Sequence, residues 1–125
     1  MNLLKARKVN NLVETAAAFS VSTSEHKWTV PNSKRWFLIG GIIVRDSAET
    51  VIIQAYDPTE LIYRLAGKAP ATGTHGYPDG ESEGAPRGEE AIPLILDQGE
   101  QIVVTFGGAQ GAGASISCIV LEVDV

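Results

Sequence analysis

The chain has 125 residues, of which 44% are apolar and 20% charged, and its formal net charge is −5. This length fits one domain, and this balance excludes a disordered or low-complexity chain. No apolar run reaches the roughly 18 residues of a membrane-spanning helix, and the single cysteine excludes both an internal disulfide and a cysteine-based zinc site.

The charge is divided unevenly along the chain. Residues 1–45 carry seven basic and two acidic side chains, whereas residues 46–125 carry three basic and thirteen acidic ones. This asymmetry indicates that the N-terminal part contacts an acidic partner: nucleic acid, an acidic protein surface or the acidic part of a second copy. Nucleic acid is the least favoured of these partners, because the chain as a whole is acidic and shows no basic–aromatic interleaving.

We expect residues 1–18 to form an N-terminal arm ahead of a domain over residues 19–125. A short helix is predicted within residues 3–16, because four apolar residues share helical spacing. These four are Val9, Leu12, Val13 and Ala16. The segment is either a frayed tail or an arm that docks on another subunit. Basic and polar residues interrupt every apolar run, so a secretory signal is not expected.

From Phe19 onward, alternation and turn residues predict short strands. The predicted strands are 26–30, 35–45, 50–56, 61–66 (strand or helical turn), 92–96, 101–106 and 115–123. Turns are predicted at 31–34, 46–49 and 97–100, and a bulge at Gly40–Gly41. Seven or eight short strands with no long helix between them are typical of an all-β, antiparallel β-sandwich or barrel.

Residues 67–90 are predicted to form one long loop, because they hold six glycines and three prolines. His75 and Tyr77 in this loop are candidates for a sugar- or receptor-binding tip. A calcium-loop spacing also occurs there, at Asp79, Glu81, Glu83, Gly84 and Glu90. The framing helices of such a loop are missing and Pro86 interrupts it, so a solvated acidic loop is favoured and no metal is expected.

Two predicted strands, 35–45 and 115–125, are apolar on both faces. A two-layer sandwich buries one face of each sheet, so something must cover the second faces. The cover is either a loop or N-terminal segment of the same chain, or another subunit. We favour an oligomer.

Nucleophilic catalysis has little support in the sequence. Cys118 lies in an apolar strand, where a cysteine usually acts as a small hydrophobe. Only His26 and His75 could serve as a base. The glycine-rich run at 107–114 lacks the Lys-Ser/Thr ending and the following helix of a phosphate loop. We therefore expect a non-enzymatic protein without a cofactor.

The run HKWTVPNSKRWFLIGGIIV resembles the opening strands of small jelly-roll proteins on the capsids and tails of tailed bacteriophages, with the pattern W-x-V-P-x-x-K-x-W. IPLILDQGEQIVVTFGG and SISCIVLEV are similar to their closing strands, with L-x-x-G-E as a turn. The similarity covers residues 26–124. It implies a jelly-roll-like sandwich and a structural role in the virion, with capsid decoration or cementing as the expected role.

The resemblance also implies a homotrimer that binds the major capsid protein or other virion proteins after synthesis in the host cytoplasm. No membrane partner is expected, because no apolar run is long enough to span a membrane. The residues predicted for the subunit or capsid interface are Lys5, Arg7, Lys8, Leu12, Trp28, Arg35 and Trp36. The main alternative is a receptor- or carbohydrate-binding module of a fibre or tail. Its binding loop would use His75, Tyr77, Asp79 and Glu81. A cupin-like enzyme is disfavoured, because it needs clustered metal-binding histidines.

Overall fold

The computed structural model describes the backbone of residues 8–15, 25–58, 61–77, 83–84 and 94–125, and the side chains of residues 10–13, 25–58, 71–77 and 94–125. Within these ranges the chain is all-β, without a helix, and its antiparallel sheet curls into a half-barrel. The strands are β1 (Lys8–Thr15), β2 (Glu25–Thr29), β3 (Lys34–Tyr56), β4 (Leu61–Tyr77), β5 (Glu83–Gly84), β6 (Leu94–Asp97), β7 (Gln101–Phe106) and β8 (Ser115–Asp124). The predicted all-β antiparallel class is confirmed.

The sheet is organised around β3, which is 23 residues long. Its first half (residues 34–45) pairs with β8 on one edge and with β6 and β4 on the other. Its second half (residues 49–56) pairs with β7 and β4. β1 extends the sheet beyond β8, and β2 extends it beyond β7. One strand therefore belongs to two adjoining parts of the sheet.

One face of the sheet, called here the inner face, carries the hydrophobic core. Side chains at alternate positions of the strands meet there, as the two-residue period of a strand requires. Leu38, Ile43, Ile53 and Phe106 are among the largest fully buried side chains. Burial of each such side chain stabilises the folded state by about 1.5–3 kcal/mol. Side chains from both halves of β3 belong to this one core.

The bend between the two halves of β3 is braced by the glycine-rich segment that follows β7. The side-chain oxygen of Gln110 accepts hydrogen bonds from the backbone N–H groups of Asp46 (2.9 Å) and Ser47 (3.0 Å). The amide nitrogen of Gln110 donates to the Ser47 carbonyl at 3.2 Å. The predicted turn at 46–49 is therefore wrong, because the chain does not reverse there. The β3–β4 register shifts, but β3 continues.

The predicted N-terminal helix is wrong for the residues described, because Lys8–Thr15 form strand β1 against β8. A helix of this length is marginal on its own, whereas the edge of β8 offers backbone hydrogen bonds. In the strand, Leu12 packs against the core and Val13 points to the opposite, outer face. The apolar spacing fits a helix better than a strand, but pairing with β8 outweighs it.

The predicted loop over 67–90 is wrong for its first part, because β4 runs without interruption to Tyr77. The long β3 exposes backbone donors and acceptors that β4 pairs with, and Gly67, Gly73 and Gly76 all have partners in this register. Glu83–Gly84 then form the short β5 on β4. The remainder of 78–93 lies outside the described residues.

The turns at 31–34 and 97–100 are confirmed. Lys34 N–H donates to the Pro31 carbonyl at 3.2 Å, and Glu100 N–H donates to the Asp97 carbonyl at 3.0 Å. Gly99 has φ 82°, which an L side chain rarely adopts. The predicted bulge is also confirmed, since the β3–β8 register shifts between Leu38 and Gly40.

Candidate functional site

The outer face of the sheet carries an exposed apolar area on β1, β3 and β6. We call it the isoleucine surface and define it by Val13, Ile39, Ile42 and Ile95. These side chains are 53%, 44%, 48% and 38% exposed, respectively. Exposed apolar side chains are common singly, but a group on one sheet face is typical of an interaction surface.

The register places these four residues in three successive cross-strand rows of the outer face, and the first row also holds the buried Phe37 (2% exposed). Ile95 lies opposite Phe37, which lies opposite Leu121. Two residues further along, the bulge places Ile39 beside Ile119. In the third row Ser117 lies between Ile42 and Val13, and its hydroxyl accepts a hydrogen bond from Ile42 N–H at 3.2 Å.

An ion pair borders one end of the isoleucine surface. Arg35 pairs with Asp97 at 2.6 Å (Nε to Oδ1), in the row that follows Phe37 and Ile95. A polar border around apolar side chains is a frequent feature of protein–protein contacts.

A second feature of the outer face is a groove on β2, β7 and the second half of β3. Its volume is about 290 Å³, and its lining is mostly polar. The lining residues are Glu25, Lys27, Gln54, Tyr56, Asp57, Pro58, Gln101, Val103 and Thr105. This groove was not predicted, although two-residue spacing puts Gln54 and Tyr56 on one face of their strand, and likewise Gln101 and Thr105.

The groove is built from three cross-strand rows. Lys27, Val103 and Gln54 form the middle row, in which Val103 is buried and makes an apolar floor. Glu25 and Thr105 lie in the row on one side of it. Thr29, Gln101 and Tyr56 form the row on the other side. Asp57 and Pro58 follow the end of β3 and close this side.

Two of the four residues predicted for a binding loop, His75 and Tyr77, lie in strand β4. Tyr77 is buried beside Gly41, and its hydroxyl donates a hydrogen bond to the Ser117 carbonyl. His75 is half-buried, with Nε2 2.9 Å from the guanidinium of Arg45. Asp79 and Glu81 lie outside the described residues. His75 and Tyr77 are therefore strand residues, in the part of β4 that pairs with β3.

The predicted interface residues fall into different environments. Trp28 and Trp36 are in the core, and the Trp36 indole N–H donates to Glu122 at 2.9 Å. These two tryptophans are thus not available to an interface of the folded chain. Leu12 packs partly against the core, while Arg35 is on the border of the isoleucine surface.

Of the three basic residues predicted near the N-terminus, the structure describes only the backbone of one. Lys5 and Arg7 lie outside the described residues. For Lys8 the structure describes the backbone alone, opposite Glu122 in the β1–β8 register.

The Cys118 side chain is completely buried in the core. Burial raises the pKa of its thiol to about 12, so the thiol stays protonated at neutral pH and is a poor nucleophile. Burial also raises the pKa of the neighbouring Tyr77 well above its usual value. Both side chains serve packing in this part of the core.

Among the described residues no three His, Cys, Asp or Glu side chains are grouped as metal ligands. The same part of the chain contains no helix that is long and apolar enough to cross a membrane. In comparisons with known proteins, no family model and no curated protein matches the chain.

Proposed function

We propose that this chain is a structural protein of a bacteriophage virion, which decorates and stabilises the assembled shell as a homo-oligomer. The trimer, the major capsid protein as partner, the virion location and the jelly-roll-like sandwich belong to the proposal through the resemblance of residues 26–124. The observation that carries it is the isoleucine surface, because its four exposed aliphatic side chains lie together on one sheet face.

Burial of this surface would provide the driving force for assembly. Apolar surface removed from water contributes about 25 cal/mol per Å². A protein that binds only the assembled shell stabilises that shell by mass action. Shell decoration therefore needs no catalytic group, only a surface that several subunits bury together.

Charge supports contacts between copies as well as with the shell. The basic side chains are concentrated in residues 1–45 and the acidic ones in residues 46–125. Two copies that place these parts against each other would attract one another, and so would the N-terminal part and an acidic shell.

The first test is the oligomeric state of Ile42→Lys. A lysine at this exposed position buries a charge in any interface that uses the isoleucine surface, at little cost to the isolated chain. We expect the wild-type protein to have a multiple of the subunit mass in size-exclusion chromatography with light scattering, and Ile42→Lys to be a monomer whose circular dichroism spectrum is that of the folded chain. Asn32→Lys adds the same charge on an exposed turn and should assemble normally. A monomeric wild-type protein would refute oligomerisation.

The second test is co-sedimentation with expanded capsid shells of a tailed bacteriophage. Wild-type protein and Asn32→Lys should sediment with the shells, and Ile42→Lys should remain in the supernatant. Deletion of residues 1–18 is a less specific experiment, because it also removes β1 and the packing of Leu12 on the core. If wild-type protein does not bind shells, the proposed role is wrong.

A further inference from the structure

We propose that the groove on β2, β7 and the second half of β3 is a binding site for a neutral saccharide. This site is separate from the isoleucine surface and does not depend on the proposed decoration role. Its volume of about 290 Å³ is near the lower end of small-molecule sites, about 300–1,000 Å³. The apolar floor, the polar groups and the charge of the groove each favour such a ligand.

The floor and one wall offer apolar and aromatic contacts. Val103 is 6% exposed and lies between Lys27 and Gln54 in the sheet. Tyr56 lines the groove and is only half-buried. A pyranose has an apolar C–H face that can pack on an aliphatic floor or an aromatic ring, while the tyrosine hydroxyl remains available for polar contacts.

The hydrogen-bonding groups are mainly neutral. Gln54 and Gln101 each present a carbonyl oxygen as acceptor and an NH₂ group as donor, and Thr105 adds a hydroxyl. A sugar hydroxyl also donates and accepts, and two neighbouring hydroxyls can engage both ends of one amide. A polyol satisfies this set of groups, whereas a simple ion uses only donors or only acceptors.

The present partners of these amides are easily exchanged. The Tyr56 hydroxyl donates to Gln54 Oε1 at 3.3 Å, and the Gln101 amide donates to Thr29 Oγ1 at 3.5 Å. Both distances exceed the usual range for strong hydrogen bonds, so a ligand hydroxyl that replaces either bond loses little. The polar wall of the groove is thus available to a ligand at small cost.

The charge of the groove disfavours an anionic ligand. Glu25 and Lys27 form an ion pair at 3.1 Å, in which each side chain is about half exposed (49%). Asp57 adds a further carboxylate to the lining. Phosphate, sulfate or a nucleic-acid backbone would meet two carboxylates for one ammonium group. A neutral sugar avoids this repulsion.

The test is an NMR titration of the ¹⁵N-labelled full-length chain with glucose, galactose, N-acetylglucosamine and their disaccharides, each added separately. Inorganic phosphate and sulfate form the anion arm. We expect at least one neutral sugar to shift the backbone amide signals of Lys27, Gln54 and Gln101 in a saturable way. The signals of Ile39 and Ile42 should not move, and the two anions should leave the groove signals in place.

Three variants locate the site. Gln101→Ala should weaken binding of that sugar by tenfold or more, and Tyr56→Ala should do the same. Tyr56→Phe keeps the ring and should retain most of the affinity. If Tyr56→Ala does not fold, Gln101→Ala alone decides whether the groove binds the sugar. Ile42→Lys is the control on the isoleucine surface and should bind the sugar like the wild type.

The proposal is overturned if no neutral sugar moves the groove signals, or if phosphate moves them as strongly as any sugar. It is also overturned if Gln101→Ala and Tyr56→Ala both bind with wild-type affinity. These outcomes are independent of the decoration role, which is judged from oligomer mass and shell binding. A monomer that binds sugar would refute the first proposal and support the second.

Discussion

The two halves of β3 have similar inner faces and different outer faces. Inward, the first half carries Trp36, Leu38 and Ile43, and the second half carries Val51, Ile53 and Ala55. Outward, the first half carries Ile39 and Ile42 on the isoleucine surface, whereas the second half carries Gln54 and Tyr56 in the groove. Both halves thus contribute side chains to the core, but they present different side chains to a partner.

This difference separates stability from binding within one strand. Inner residues lose contacts and leave a cavity when they are truncated, since the surrounding core is closely packed. Outer residues mainly change which molecule the sheet can contact. Substitutions on the inner face should therefore lower stability, whereas substitutions on the outer face should mainly change binding.

The largest effect is expected for Gly41→Ala, on the inner face of the first half. An added Cβ would overlap the Ser117 carbonyl oxygen and the ring of Tyr77, and the central sheet has little room to shift. We expect a loss of more than about 4 kcal/mol in the free energy of unfolding, measured by urea denaturation. Gly76→Ala on β4 is the control, because its nearest contact would be the Gly41 carbonyl oxygen at 3.9 Å. Equal stability of the two variants would contradict the close approach of Tyr77 to Gly41.

A smaller loss is expected for Ile53→Ala, on the inner face of the second half. Ile53 is fully buried, and truncation of such a side chain costs about 3 kcal/mol through lost burial and the cavity that remains. Ile42→Ala removes the same atoms from an exposed position and should cost under about 1 kcal/mol in the monomer. Urea denaturation at low protein concentration compares the two. A similar loss for both would show that the inner and outer faces are not distinct.

The smallest of these effects is expected for Gln110→Ala, between the two halves. The substitution leaves the backbone N–H groups of Asp46 and Ser47 without their side-chain acceptor. We expect a loss of about 1–3 kcal/mol, with faster amide hydrogen exchange at Asp46 and Ser47. The exposed neighbour Ala109 provides a control in Ala109→Ser, which should exchange like the wild type. Unchanged exchange in Gln110→Ala would show that this side chain does not brace the bend.

Several local features could be predicted from the sequence because they depend on near neighbours. Pro31 and Gly99 mark turns through their own backbone preferences, and the Gly40–Gly41 pair marks the bulge. The apolar outer positions of 35–45 could also be recognised, since alternation assigns alternate residues to one face. The isoleucine surface was therefore foreseen as a surplus apolar face, although not as these four residues.

The candidate site residues were predicted less well, because burial depends on distant parts of the chain. Tyr77 looks like an exposed loop residue until β4 is paired with β3. Trp28 and Trp36 are equally compatible with a core and an interface until their neighbours are known. The groove joins residues from β2, β3 and β7, which are separated by up to 80 positions, and no local pattern relates them.

The sequence by itself determined the all-β class, most strand positions and the uneven charge, because composition, alternation and turn chemistry act over a few residues. Only the tertiary structure decided that residues 8–15 extend a sheet, that β3 passes through its bend as one strand, and which side chains share the groove. These outcomes depend on backbone pairing between segments far apart in the chain, where the partner strand supplies the hydrogen bonds that local preference leaves open.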